Sequence, residues 1–326
     1  KESECMIILD EKATTDSKNG CKPSERTLEQ LLDAGVILVD KPRGPSSHQL
    51  TAWAREMLGI QRLGHGGTLD PFATGLLTML CGKSTRLTEM VLTGDKRYIA
   101  VLRFAREVTQ EELANLLESL QGEIYNVPPL ESAVKVRVRT RILHDIRIID
   151  ADDESRTTAV TITCNAGTYI RTLARDFGLM LDTGCELLEL HRDQTGSFDQ
   201  SNACTMQQLT DAVFLWREHE DDRALRQLIA PVEAILGHLP RIVVKDGAAA
   251  AISHGAALAR PGVVSLSEGI ERGDLVVLES LKGEAVALAE TNSAASKIAS
   301  MQHGEVARPK VVLMQVGVYP QTWSKE

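Results

Sequence analysis

The break at Leu239-Pro240 constrains this chain more than any other feature. Before it, short apolar strands alternate with amphipathic helices. After it the texture changes to short strands separated by glycine turns, the pattern of a small β-barrel-like domain. Arg241 to Lys245, Leu275 to Leu278, Ala285 to Ala289 and Val311 to Val318 read as strands, and Ala248 to Leu258 reads as a small-residue helix. The stretch 291–300 (TNSAASKIAS) reads as a loop. A length of 326 residues has room for two domains.

On the N-terminal side, residues 1–30 are polar, mixed in charge and without period, as in an arm. Gly35 to Asp40 reads as a buried strand, broken by Lys41-Pro42-Arg43-Gly44-Pro45. Ser46 or Ser47 can cap the helix that follows, with Leu50, Trp53, Ala54, Met57 and Leu58 on its apolar face and Gly59 closing it. Tyr98 to Phe104 and Thr158 to Cys164 read as strands. Thr109 and Glu112 form a capping box ahead of Leu113, Leu116, Leu117 and Leu120. A helix is expected from about Thr168, with Ile170, Leu173, Ala174 and Phe177 inward, and 205–236 reads as helical.

Several function classes are disfavoured. No apolar run is long enough to span a bilayer, and the first residues lack a signal-peptide pattern, so a cytoplasmic protein is expected. The 6 cysteines are scattered, without C-x-x-C spacing or a histidine at ligand distance, so neither a disulfide framework nor a metal site is expected. Gly75 and Gly82-Lys83-Ser84 miss the phosphate-loop spacing. A net charge of −9 does not favour nucleic acid, but the distribution of charge decides that question.

The segment Gly64-His65-Gly66-Gly67-Thr68-Leu69-Asp70-Pro71 is dense in glycine around a single carboxylate. Asp70 is either a turn residue or a reactive group held by backbone. Lys135, Arg137, Arg139 and Arg141 alternate, so an extended strand would put them on one face as a phosphate track or a solvated edge. Arg171 falls in the first turn of its helix, where a cation opposes the helix dipole; it either reaches solvent or meets an anion. Tyr98 beside Lys96 and Arg97 is either a core tyrosine or a base-stacking one.

In order along the chain, VDKPRGPSSH (39–48), GHGGTLDPFATG (64–75), KRY (96–98), VPPLESAVKVRVR (127–139), GTYIRTLARDFG (167–178) and LHRDQTGSF (190–198) resemble the TruB-type pseudouridine synthases. HGAALARPGV (254–263), GD (273–274) and KGEAVALAE (282–290) resemble a PUA domain. The N-terminal arm and full C-terminal domain place the resemblance nearest the archaeal homologues of dyskerin, catalytic subunits of H/ACA guide-RNA particles. The resemblance implies an α+β fold with a mixed, mainly antiparallel catalytic sheet. It divides the chain into an arm (1–33), a catalytic domain (34–238) and an RNA-binding PUA domain (239–320), with the arm folded back on the PUA domain.

The same resemblance implies residue roles. Asp70 would be catalytic, Arg171 would pair with it, and Tyr98 would stack on a flipped uracil. His65 would fill the gap the base leaves, and Lys41 and Leu190 would line the pocket. Lys135, Arg137, Arg139 and Arg141 would contact RNA. No cofactor or metal is implied. Partners would be guide RNA, rRNA or tRNA targets and accessory ribonucleoprotein subunits, with no membrane. His191-Arg192 departs from the pair of arginines common in the family. The alternatives are a stand-alone tRNA uridine-55 synthase, a non-catalytic RNA-binding scaffold, and an aspartate-based phosphatase, for which no second motif carboxylate is found.

Overall fold

The computed structural model describes residues 5–129 and 137–321. The chain divides into two compact units: one takes in the residues up to Val36, Cys81–Arg86 and Ile229 onward, the other Ile37–Leu80 and Leu87–Leu228.

In the second unit the sheet is mixed and mainly antiparallel. Its strands run in the order Ala34–Lys41, Thr74–Gly82, Cys185–Thr195, Lys96–Phe104, Thr157–Cys164, Arg139–Asp152, Gly122–Asn126. Lys96–Phe104 is antiparallel to both neighbours, and its alternate residues Lys96, Tyr98, Ala100, Leu102 and Phe104 face the core. Cys185–Thr195 meets Thr74–Gly82 in parallel, Gly75 opposite Arg192. Gly75 has φ 105, and a Cβ there would lie 2.1 Å from the Arg192 carbonyl oxygen, so only glycine lets the strands approach this closely.

Helices cover the sheet where caps and apolar faces direct them. Ser46 caps Ser47–Leu58: its Oγ accepts from the Gln49 N–H while Gln49 accepts from the Ser46 N–H. Leu50, Ala54 and Leu58 are buried, but Trp53 is 50 % exposed and not part of the expected apolar face. Ile170–Met180 buries Ile170, Leu173, Ala174 and Phe177 against the sheet. Thr109 and Glu112 form their capping box before Gln110–Ser119. The expected helical region 205–236 resolves into Met206–His219, Arg223–Leu228, a short strand Ile229–Pro231 and a 3-10 turn Val232–Ile235.

In the first unit a separate sheet runs Met6–Ile8, Val263–Ser267, Arg241–Val244, Leu275–Ser280, Ala285–Thr291, Glu305–Val312, Leu258–Ala259. Ile242, Ile252, Leu266, Leu278, Val286 and Ile298 are at its centre. The aperiodic N-terminal segment is not without structure. Met6–Ile8 pairs antiparallel with Val263–Ser267, and a capping box at Thr27 starts the helix Leu28–Asp33. Lys282 Nζ donates to the Asp16 and Asn19 carbonyls.

Further expectations fail here: the helix expected over Ala248 to Leu258 is Asp246–Ser253, and Leu258 is in a strand. The supposed loop 291–300 contains the helix Ala295–Ser300, held by burial of Ala295 and Ile298. The last strand is Glu305–Val312 and not Val311 to Val318. Among the described residues no helix is long and apolar enough to cross a membrane.

Candidate active site around Asp70

The glycine segment is partly strand. Leu63–Gly66 pairs with Thr74–Gly82, and the connection between them carries Asp70. The Asp70 carbonyl accepts from the Ala73 N–H at 3.0 Å, so the backbone turns there as an aspartate-initiated turn does. Leu69 and Ala73 on either side are buried, 3 % and 0 % exposed, which fixes the turn in the core. Ser47, fully buried, exchanges hydrogen bonds with the Leu69 N–H and carbonyl, both at 2.9 Å.

The Asp70 carboxylate is left free of the turn. It meets Arg171 side-on, with Oδ2 3.0 Å from Nε and Oδ1 accepting from Nη2 at 3.3 Å. Both side chains are part-exposed, 38 % and 36 %. Arg171 projects from the first turn of Ile170–Met180, and the cation there meets an anion instead of solvent alone. Asn126 fixes that helix start: its Oδ1 accepts from the Tyr169 N–H at 2.8 Å. An open depression of about 470 Å³ lies alongside, lined by Arg43, Phe72, Arg171, Glu186, Leu187 and Leu188. Its size is ordinary for a small-molecule or nucleotide site.

Tyr98 and Leu190 pack in the same core cluster as Leu69 and Ala73, 8 % and 7 % exposed. Burial pushes the Tyr98 phenol above its ordinary acid range, opposed by the charge of Arg192. His65 is half-buried. Its Nδ1 lies 3.0 Å from Thr51 Oγ1, its Nε2 3.3 Å from Thr68 Oγ1, and its ring meets His48 edge-on at 4.8 Å. Burial lowers its basicity, so the neutral imidazole is favoured.

Lys41 departs from the expected pocket-lining role beside the substrate. It is 0 % exposed, and its Nζ donates to the carbonyls of Pro42 at 2.9 Å, Pro71 at 3.1 Å and Ala73 at 2.8 Å. All three donors of the ammonium are spent on backbone carbonyls, two of them, Pro71 and Ala73, in the Asp70 turn. Burial lowers its basicity, and the nearby Asp70 charge partly restores it.

The basic stripe is only partly a strand face. Lys135 lies outside the described residues, and Arg137 precedes the strand Arg139–Asp152, so only Arg139 and Arg141 share a face within it. Arg141 turns back to donate from Nε to the Gly167 carbonyl at 3.0 Å. Arg137 and Arg139 are exposed.

Two buried cations escaped the sequence reading. Arg192, 3 % exposed, donates from Nε and Nη2 to the Leu76 carbonyl at 2.9 and 2.7 Å, and from Nη2 to the Gly67 carbonyl. Lys96, 4 % exposed, donates to the Val91 carbonyl at 3.1 Å and the Gly94 carbonyl at 2.5 Å. The signal was the period of two: Arg192 follows inward Leu190, and Lys96 precedes inward Tyr98, by two residues. Among the described residues no group of three or more His, Cys, Asp or Glu is placed to hold a metal ion.

Residues 55–170 match the model for the TruB family pseudouridylate synthase N-terminal domain, and 171–237 that for the tRNA pseudouridylate synthase B C-terminal domain. Residues 240–313 match the PUA domain and 1–51 the DKCLD (NUC011) domain. A probable tRNA pseudouridine synthase B of Methanopyrus kandleri is 41 % identical over 97 % of this chain and 93 % of its own length. That of Methanocaldococcus jannaschii is 38 % identical over 98 % and 95 %. Two solved structures are similar in fold throughout. One is described as an H/ACA RNP bound to a substrate RNA containing 2'-deoxyuridine, with TM-score 0.90, 34 % identity and 98 % of both chains covered. The other is a Cbf5-Nop10-Gar1 complex, with TM-score 0.89, 36 % identity, and 98 % of this chain and 97 % of that one covered. Identity at this level along nearly the whole length, with matched catalytic and PUA segments, makes the chain a member of the TruB family of pseudouridine synthases.

Proposed function

We propose that this enzyme isomerises uridine to pseudouridine in RNA, with Asp70 as the reacting carboxylate. The observation that carries the assignment is the Asp70–Arg171 pair, set in a backbone-clamped turn beside an open depression. The reaction breaks the bond from uracil N1 to ribose C1′, turns the base, and joins C5 to C1′; the hydrogen leaves C5 and N1 ends protonated. Atoms and electrons balance within the nucleotide, so the chemistry calls for no redox cofactor.

The base must leave its stack, at a cost of a few kcal/mol. Stacking on an aromatic ring returns about 1–3 kcal/mol, and Tyr98 supplies that ring. On this reading Leu190 closes the apolar wall and His65 fills the gap left by the flipped nucleotide. Arg171 aims the carboxylate, as a rigid guanidinium fork can. Exposed Arg137 and Arg139, with Arg141 and Lys135, form the RNA phosphate contact. On this reading 1–33 is an arm, 34–238 the catalytic domain and 239–320 the RNA-binding PUA domain, and the work is cytoplasmic.

The targets are guide-directed: the similar solved structures are H/ACA particles and a complex with Nop10 and Gar1, so guide RNA and accessory subunits are the proposed partners. A second reading, action on tRNA alone, rests on the relatives named tRNA pseudouridine synthase B. Assay of the purified chain on unmodified tRNA, and then on an rRNA fragment with guide RNA and accessory subunits, separates them. Product on the fragment only after guide and subunits are added supports guide direction. Full activity on naked tRNA, with none in the reconstituted particle, supports the stand-alone reading.

A further inference from the structure

Arg192 occupies a position that the Asp70–Arg171 pair does not explain. It sits on Cys185–Thr195, directly across from Tyr98 in the antiparallel ladder, so the two side chains share one face. Its hydrogen bonds go to the carbonyls of Gly67 and Leu76, which bracket the turn that carries Asp70. Gly67 has φ 71, and a Cβ there would lie 3.4 Å from the guanidinium, so the chain passes close against the cation. Gly75 is likewise backed onto the Arg192 main chain. One residue therefore touches both limbs of the Asp70 loop and adjoins the ring of Tyr98.

A guanidinium this deeply buried carries a large desolvation cost unless its donors are matched. A buried arginine serving only as packing could be replaced by an apolar side chain with no loss of chemistry. Here its planar fork matches carbonyls contributed by two points of the loop, and a point cation such as lysine cannot reproduce that geometry. The same charge stands against the ionisation cost that burial imposes on the Tyr98 phenol.

We infer that Arg192 is a positioning residue for pseudouridine formation, holding the Asp70 loop in register with the Tyr98 ring so that carboxylate and stacked base meet at reaction distance. This inference rests on the assignment of Asp70 and Tyr98 made above. It concerns a group that touches neither RNA nor the reacting atoms, and it places the inherited arginine of His191-Arg192 inside the protein instead of on the RNA.

The test uses Arg192→Met and Arg192→Lys in the full chain, assembled with guide RNA and accessory subunits. Target-RNA affinity and single-turnover rate are measured separately, with Asp70→Asn as reference. Misplacement of reacting groups by about 1 Å costs about a hundredfold in rate. The expected result is a single-turnover rate down about a hundredfold for Arg192→Met, with target affinity within about twofold of wild type. Arg192→Lys should recover part of the rate and leave affinity unchanged. Should Arg192→Met fail to fold by circular dichroism, Arg192→Lys decides by the same split. A folded variant with a rate within about threefold of wild type overturns the inference, as does a loss confined to affinity. Failure of wild type and Asp70→Asn to differ would instead overturn the assignment of Asp70.

Discussion

Asp70 and Arg171 lie 101 positions apart in the chain, yet their side chains meet through two contacts, Oδ2 to Nε at 3.0 Å and Oδ1 to Nη2 at 3.3 Å. The carboxylate is presented by a turn and the guanidinium by the first turn of a helix. Each element is pinned independently, the first by Ser47 and Lys41, the second by Asn126. The pair is therefore assembled by the fold and not by local sequence.

Arg171→Lys keeps the charge but loses the side-on fork. The expected outcome is a single-turnover rate lower by about a hundredfold or more, with little change in thermal stability, because an ion pair this exposed contributes little to folding. Rate measurement beside thermal melting checks it. A near-normal rate would mean the pair does not orient the carboxylate.

Lys41→Met tests the clasp on the Asp70 turn. Three carbonyls lose a charged donor, and that of Ala73 loses it in a buried contact. Stability should fall by about 2–3 kcal/mol, and the rate by about tenfold or more as the turn loosens. Urea unfolding with single-turnover kinetics reads both. A stable variant with unaltered rate would show that the ammonium is dispensable.

Lys96 gives a pH prediction. Burial, with the Arg192 charge second, pushes its pKa from 10.5 down to about 8. Between these values the unfolded chain binds more protons at this residue than the folded one, so its contribution to stability rises with pH. Wild type should gain stability relative to Lys96→Met between pH 8 and pH 10, when unfolding is measured at both. A difference that stays flat or falls over that window contradicts the assigned direction.

Tyr319 and Glu284 form a buried pair within the first unit: the hydroxyl donates to Glu284 Oε1 at 2.8 Å, and the residues are 1 % and 3 % exposed. Tyr319→Phe leaves the carboxylate without that donor and should cost about 1–3 kcal/mol. The single-turnover rate of the folded enzyme should be unchanged. Denaturant titration checks the loss, and no change in midpoint would contradict it.

Much of the fold could be read from the chain because local signals agree with burial. Thr109 and Glu112 mark a helix start, and Tyr98, Ala100 and Leu102 alternate inward. The misreadings have physical reasons. Ala295–Ser300 contains no strong helix signal, and it is helical because Ala295 and Ile298 find a core. Glu305–Val312 contains Pro309, which ordinarily argues against a strand; here it pairs with Ala289 at a register shift, where a missing donor is tolerated. Trp53 has helical spacing for the core but stands outside it. Around Asp70, glycine density marked the turn but hid the strand Leu63–Gly66 that leads into it. The partner of Asp70, Arg171, was marked as a cation in need of an anion by its place in the first turn of a helix, but which anion came only from family likeness, since no spacing rule connects residues so far apart. The buried cations Lys96 and Arg192 were legible in principle, through the inward period of their strands.

The measurement closest to the central claim is pseudouridine formation by Asp70→Asn, reconstituted with guide RNA and accessory subunits. The exchange is nearly isosteric and removes only the charge and the nucleophilic oxygen. The account predicts an intact fold, target-RNA affinity within about twofold of wild type, and no detectable product. Product formation by this variant at a rate within about tenfold of wild type would contradict it.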